Sequence, residues 1–511
     1  MTDSRNSVIR GFLSVMSAKV GMMVLTILVT PVIVRLLPKS EYGSYSFVLS
    51  FLAIFMIFVG AGSSAGVRKY IAEQRGVNDW QSHVFGFYFR LSVSLAVLGS
   101  VVTLVGSQVG LFEQVFGPEV GRLLVVIPGL IISEQLFGLS RSTLIGLSME
   151  HRSEPLKVVQ KVLFVVVGVG LAYLGWGALG VLIGHIVANF TVAGIALAFL
   201  ARRLSLTRIL GTLPSDISGR TLFSFNIQNL LLVFLTASLT HFDVIMIQTL
   251  TNSTQTASYK AALTVAEFIL FVPIALQMVF LHSASRLWSE GKTEQVNELS
   301  SRATRYNLLL TLLLAVGMSA LAPEFVGLYF GQDYLDAVTP MLLLLPGVVG
   351  YALARPIFAI GQGKGDLGVI ILATAASAFL NVVLNALLIP RYGTVGAGFA
   401  TSVGYGSMLV FHVASARRLG YDPVTDLRAG RIIIAGMAAG VVVHLLAGVI
   451  STPLVALVVV PPTGFVVYSY VALLTRAVDW DDIDQLLGSV PSPLDNRLRS
   501  MLTRALPNRP K

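Results

Sequence analysis

The chain has 511 residues, of which 55% are hydrophobic and only 12% charged, and its mean hydropathy is +0.79. A soluble domain carries about 25% charged residues, so this composition leaves too little polar surface to face water throughout. The formal charge of +10 gives no nucleic-acid reading, because the basic residues stand in short loops between apolar runs, and the lack of cysteine excludes disulfides, zinc–thiolate sites and thiol nucleophiles.

A membrane-spanning helix needs about 20 mostly apolar residues, and lipid offers its backbone no other hydrogen-bond partners. The apolar runs predict an all-α polytopic membrane protein with about 14 transmembrane helices. They lie near 11–36, 41–66, 82–107, 120–146, 155–175, 178–201, 222–249, 256–282, 304–323, 338–360, 367–389, 394–416, 431–450 and 453–475. The first run is longer than a signal-peptide core, has no small-residue cleavage site, and is expected to be retained.

The loops alternate in charge. One set carries Arg68, Lys69 and Arg75, then Arg152 and Lys157, Arg202 and Arg203, Arg286 and Lys292, Lys364, and finally Arg417 and Arg418. The other set is poorer in Lys and Arg and holds Glu113, Glu324, Asp333 and Asp336. The Lys/Arg rule makes the first set cytoplasmic, so the chain is expected in the cell (plasma or inner) membrane with both termini in the cytoplasm.

The sequence also repeats itself. "LSRSTLIG" at Leu139 pairs with "LARPIFAIG" at Leu353, and Ser44 and Tyr45 pair with Ser258 and Tyr259, each at a shift of 214. "GALGVLIGHIVANF" from Gly177 pairs with "GTVGAGFATSVGYG" from Gly393 at a shift of 216. Six spans per unit imply two parallel six-helix repeats forming two lobes, 1–210 and 211–420, with two additional helices at 421–476 and a cytoplasmic tail at 477–511. Parallel repeats place a substrate site at their interface.

Polar residues in apolar spans mark the candidate site, since a charge at the bilayer centre costs about 2.5–3.5 kcal/mol on insertion scales. Helical spacing puts Lys19, Thr26 and Thr30 on one face of the first span, and Asn229, Thr236, Thr240 and Asp243 on one face of the seventh. Lys260, Thr264 and Glu267 do the same on the eighth. Thr26 and Thr240 are related by the repeat shift, so the stripes fall in register as a shared substrate-binding cavity would require. The alternative for these stripes is interhelical hydrogen bonding. Asp243 and Glu267 fit either cation or proton sites or partners of Lys260 and Lys19. "GQGKGD" at Gly361 lacks the phosphate-loop spacing and reads as a turn; "GMAAG" at Gly436 reads as a helix-packing face. No catalytic nucleophile, metal cluster or nucleotide motif stands out, and no cofactor is expected.

Four stretches carry a family resemblance: "RLLPKSEYGSYSFVLSF" from Arg35, "SASRLWSEGKTEQVNELSSRATR" from Ser283, "YFGQDYLDAVTPMLLLLPG" from Tyr329 and "IPRYGTVGAGFATSVGYG" from Ile389. The chain to about residue 420 resembles the O-antigen-flippase-like branch of the multidrug/oligosaccharidyl-lipid/polysaccharide exporter superfamily. The resemblance implies movement of an undecaprenyl- or dolichyl-linked oligosaccharide to the outer leaflet by alternating access. Its partners would be the lipid-linked oligosaccharide and membrane lipid, with sodium or proton as an optional coupling ion. A cation-coupled small-molecule or multidrug exporter of the same fold is the alternative. A membrane-embedded glycan enzyme is the third reading, disfavoured by the short outer loops.

Overall fold

The computed structural model describes residues 24–60, 62–73, 79–205 and 227–479, with 21 and 222 besides. Among these residues the chain is helical, in the order α1 (Val24–Leu36), α2 (Lys39–Gly60), α3 (Ser63–Ala72), α4 (Trp80–Gln108), α5 (Leu111–Phe116), α6 (Pro118–Leu124), α7 (Ile127–Gly146), α8 (Glu150–Phe164) and α9 (Gly177–Ala201). Then come α10 (Ile227–Leu250), α11 (Ser253–Glu267), α12 (Phe271–Ser289), α13 (Thr293–Ala320), α14 (Ala322–Tyr329), α15 (Val338–Lys364), α16 (Leu367–Arg418), α17 (Ala429–Val449) and α18 (Pro453–Leu474).

Ten stretches of described helix are long and apolar enough to cross a membrane, or eleven if α6 and α7, bent by 46°, form one span. Part of the difference from the expected number lies in two continuous helical runs of 52 residues, Glu150–Ala201 and Leu367–Arg418, each broken at glycine. Two π-helical segments, Val165–Val169 and Ala172–Trp176, join α8 to α9, and the chain turns at Gly177 with φ 53° and ψ −142°. Gly393 interrupts α16 with nearly the same angles, φ 53° and ψ −131°. An L side chain is strongly disfavoured in that conformation.

The two breaks also share a neighbour. Glu41, near the start of α2, accepts a hydrogen bond from the Ala178 backbone N–H at 2.9 Å, satisfying a donor that the first turn of α9 leaves open. Gln255, near the start of α11, holds its amide oxygen 2.5 Å from where a Cβ of residue 393 would stand. Glu41 and Gln255 differ by the same 214 positions seen in the sequence matches.

Two compact units emerge: Met1–Ala262 with Tyr329–Pro340 and Thr374–Thr401, and Leu263–Leu328 with Met341–Ala373 and Ser402–Lys511. In the first, α3, α4, α7 and α9 close on Val67, Ile71, Val84, Leu144 and Val192, all fully buried. The Trp80 indole N–H donates to the Tyr70 carbonyl at 2.8 Å, so the ring is buried without a lost hydrogen bond. Lys39 Nζ donates to both carboxylate oxygens of Asp336, at 2.8 and 2.9 Å, and to the Asp333 carbonyl at 2.6 Å. Ser258 Oγ reaches the same Asp336 carboxylate at 2.8 Å. This network joins the first turn of α2, the first turns of α11 and the 332–337 segment.

In the second unit, α17 packs on α13 and α18 through Ile432, Ala435 and Ala439. Small residues let membrane helices approach closely; a Cβ at Gly436 would come within 2.8 Å of the Leu312 side chain. The "GMAAG" run is thus a packing face. Leu445, Val449 and Val466 remain exposed, as surfaces facing lipid tails should. On α13, the fully buried Arg305 guanidinium is ion-paired with Asp426 and, at 3.0 Å, with Asp479. Arg428 binds the same two carboxylates.

Candidate functional site

Asp243 is the most enclosed of the described sequence-predicted residues. It lies on α10, fully buried. Tyr259 Oη donates to its Oδ2 at 2.5 Å, Thr401 Oγ1 lies 3.3 Å from the same oxygen, and the Val244 backbone N–H donates to Oδ1 at 2.8 Å. Lys260, half-buried on α11, is close enough for its charge to act on Asp243. The structure therefore brings Asp243 and Lys260 into one neighbourhood.

The segment that carries Thr401 adds two further oxygens. Asn381 Nδ2 donates to Thr401 Oγ1 at 3.3 Å, and Asn385 Nδ2 donates to the Asn381 backbone carbonyl at 3.0 Å. Both asparagines are fully buried, and both side-chain carbonyl oxygens lack a hydrogen-bond partner. A buried acceptor left unmatched costs about 1–3 kcal/mol, and the Asn381 amide is tied to the Asp243 carboxylate through the Thr401 hydroxyl that both meet. Hard cations take carboxylate, amide-carbonyl and hydroxyl oxygens.

The other predicted residues fall as follows. Thr26 is exposed on α1, and Thr30 donates to its carbonyl at 2.8 Å. Thr236 and Thr240 are half-buried on α10, and their hydroxyls donate to their own helix, at Leu232 and Ala237. Lys19 lies outside the described residues, as does the side chain of Asn229. Thr264 and Glu267, half-buried at the end of α11, belong to the second unit, where Tyr405 Oη donates to Glu267 Oε1 at 3.0 Å. The Tyr351 ring stacks on Tyr405 with centroids 4.5 Å apart, and the Arg355 guanidinium lies 4.1 Å from the Tyr351 ring centroid.

Tyr259, Thr401, Asn381, Asn385 and Arg355 are absent from the sequence-derived set. The two asparagines were visible as polar residues four apart in the apolar run "SAFLNVVLNALLIP", and Arg355 as the one charge in "LARPIFAIG". His185 and His412 pack against aromatic rings, Phe164 at 3.9 Å and Phe358 at 5.5 Å.

Residues 32–339 match the family described as polysaccharide biosynthesis protein. The chain belongs to that family. It is 24% identical over 468 residues to a probable low-salt glycan biosynthesis flippase, Agl15, of Haloferax volcanii, covering 89% of this chain and 94% of that one. An uncharacterized membrane protein of Methanocaldococcus jannaschii is 21% identical over 465 residues, covering 84% and 88%. In fold, this member of the polysaccharide biosynthesis family is similar to an inward-closed lipid II flippase MurJ, with TM-score 0.70, 14% identity and 92% and 99% of the two chains covered. It is also similar to an inward-facing multidrug resistance MATE transporter, with TM-score 0.66, 15% identity and 79% and 96% covered. The chain is thus a multi-pass membrane protein of the transporter fold those structures share.

Proposed function

We propose that this protein is a flippase carrying a polyprenyl- or dolichyl-linked oligosaccharide from the cytoplasmic to the outer leaflet for surface polysaccharide or glycoprotein assembly. The observation that carries the reading is membership of the polysaccharide biosynthesis family on a fold like that of a lipid flippase. A sugar–diphosphate headgroup cannot enter hydrocarbon unaided, because its charges and hydroxyls would lose their water. A polar path between two lobes, 1–210 and 211–420, removes that cost while the polyprenyl tail stays in lipid. Lys19, Thr26, Thr30, Asn229, Thr236, Thr240, Lys260 and Thr264 are the residues assigned to that path. Alternating access requires the path to close at each end in turn, and the Lys39–Asp336–Ser258 network is suited to holding one end shut. Both termini are assigned to the cytoplasm.

Asp243, Thr401, Asn381 and Asn385 would hold the coupling ion, sodium or proton, with Glu267 as a second acid. This oxygen cluster is also what favours the second reading, a cation-coupled exporter of small molecules on the same fold. Membership of the polysaccharide biosynthesis family supports the first reading over it. Depletion in the native cell separates the two: lipid-linked glycan should accumulate in the inner leaflet and surface glycan should fall. Unchanged surface glycan with heightened drug sensitivity would favour the exporter.

A further inference from the structure

Arg355 is a cation within a membrane-spanning helix that no acid among the described residues neutralises. It stands on α15, nine residues before Lys364, about 13 Å along the helix. Its guanidinium lies 4.1 Å from the Tyr351 ring centroid, Nη2 donates to Tyr351 Oη at 2.5 Å, and Nη1 donates to Gln277 Oε1 at 3.4 Å. Nε is buried without an acceptor. Among the described residues no carboxylate lies within ion-pair distance of this guanidinium; Glu267, the acid on α11, accepts from Tyr405 Oη. Among the described residues two of the five N–H groups find acceptors.

The first repeat supplies a comparison. Arg141 precedes Arg355 by 214 positions, in the matching "LSR" and "LAR" stretches. Arg141 Nη2 meets Glu154 Oε1 at 2.7 Å. The same shift from Glu154 arrives at Gly368. The sequence keeps the arginine in both places and keeps its acid in one. A structural arginine retains its partner; an arginine held by an aromatic face and an amide, with donors to spare, suits an anion that comes and goes. The planar fork matches the oxygens of a phosphate.

We propose that Arg355, with Gln277 and Tyr351, binds the phosphate of the isoprenoid-linked substrate. This rests on the flippase reading and deepens it. Purified full-length protein in detergent would be titrated with farnesyl diphosphate, inorganic pyrophosphate and farnesol. Farnesyl diphosphate should bind, and Arg355→Gln should weaken it about tenfold or more, the range of a lost charge-assisted hydrogen bond. Arg302→Gln, which removes an exposed arginine paired with Glu298, should leave binding unchanged. Equal binding of farnesyl diphosphate by wild type and a folded Arg355→Gln would overturn the proposal. So would pyrophosphate binding as tightly as farnesyl diphosphate, which would mark a free-phosphate site. Should Arg355→Gln fail to fold, Arg355→Lys decides: it keeps the charge and loses the fork, so unchanged affinity would overturn the assignment and a clear loss supports it. Translocation is read separately. A wild type that binds farnesyl diphosphate through Arg355 but moves no lipid-linked glycan keeps the site and loses the flippase. A wild type that moves the glycan no faster than Arg355→Gln does the reverse.

Discussion

Asp243 is a buried acid held by three donors and proposed as the coupling-ion site. Tyr259, Thr401 and the Val244 N–H satisfy its oxygens, so removing the carboxylate leaves donors unmatched at about 1–3 kcal/mol. Asp243→Asn keeps the shape and removes the charge. Transport should fall about tenfold or more, and its dependence on a sodium or proton gradient should vanish, while membrane abundance stays near wild type. Transport that keeps its gradient dependence would move the ion site elsewhere. Helical period alone could find Asp243, because an acid in an apolar run is conspicuous. It could not find Tyr259 or Thr401, which the fold brings in from positions 16 and 158 residues away. Nor could it tell that Thr236 and Thr240 spend their hydroxyls on their own helix. A backbone carbonyl one turn earlier competes for every serine and threonine in a span, and spacing is blind to the outcome.

At the scale of elements, the two glycine breaks test the repeated design. Gly177 and Gly393 share a conformation that costs an L residue about 1–3 kcal/mol. A Cβ at 177 would also stand 2.2 Å from Glu41 Oε2. Gly177→Ala and Gly393→Ala should each lower the melting temperature in detergent, and Glu41→Ala should relieve Gly177→Ala only in part, since the backbone strain remains. Full rescue would show that the clash alone mattered. The breaks fall between spans that the apolar runs had separated, near 176 and near 391, because glycine and short polar gaps are legible. The end of α2 was less so. The run to 66 stops at Gly60, and a separate helix starts at Ser63, a turn that uninterrupted small and apolar residues conceal.

The cluster that follows α18 makes a second prediction. Hydrogen bonding from Arg428 holds the Asp479 carboxyl below its ordinary value of 3.8. A carboxylate depressed on folding stabilises above its unfolded value, and that contribution is lost as pH falls through the folded one. Asp479→Asn should therefore melt lower than wild type near neutral pH, and the gap should close below about pH 4. The loss should stay under about 1 kcal/mol, because the side chain is partly exposed and screened. A gap that persists in acid would assign it to packing.

For the whole molecule, the all-helical membrane architecture was legible from hydropathy, because lipid permits few alternatives. The four family-like stretches pointed to the polysaccharide family that the chain belongs to. The site was legible only in outline, since a transport path is assembled from single polar residues on separate helices. Orientation can be checked in a chain without native cysteine: Gln332→Cys should label with an impermeant thiol reagent in intact cells, and Ser492→Cys should not. The reverse pattern would invert the direction of transport. The central claim is flipping, and its most direct measurement uses purified protein in vesicles loaded with a fluorescent polyprenyl-diphosphate oligosaccharide in the outer leaflet. With a potassium-diffusion potential positive inside, the anionic headgroup should move inward faster than in protein-free vesicles, and slower when the potential is reversed, since each elementary charge crossing gains about 2.3 kcal/mol per 100 mV. A rate equal to that of protein-free vesicles under both polarities and with sodium or proton gradients imposed would contradict the account.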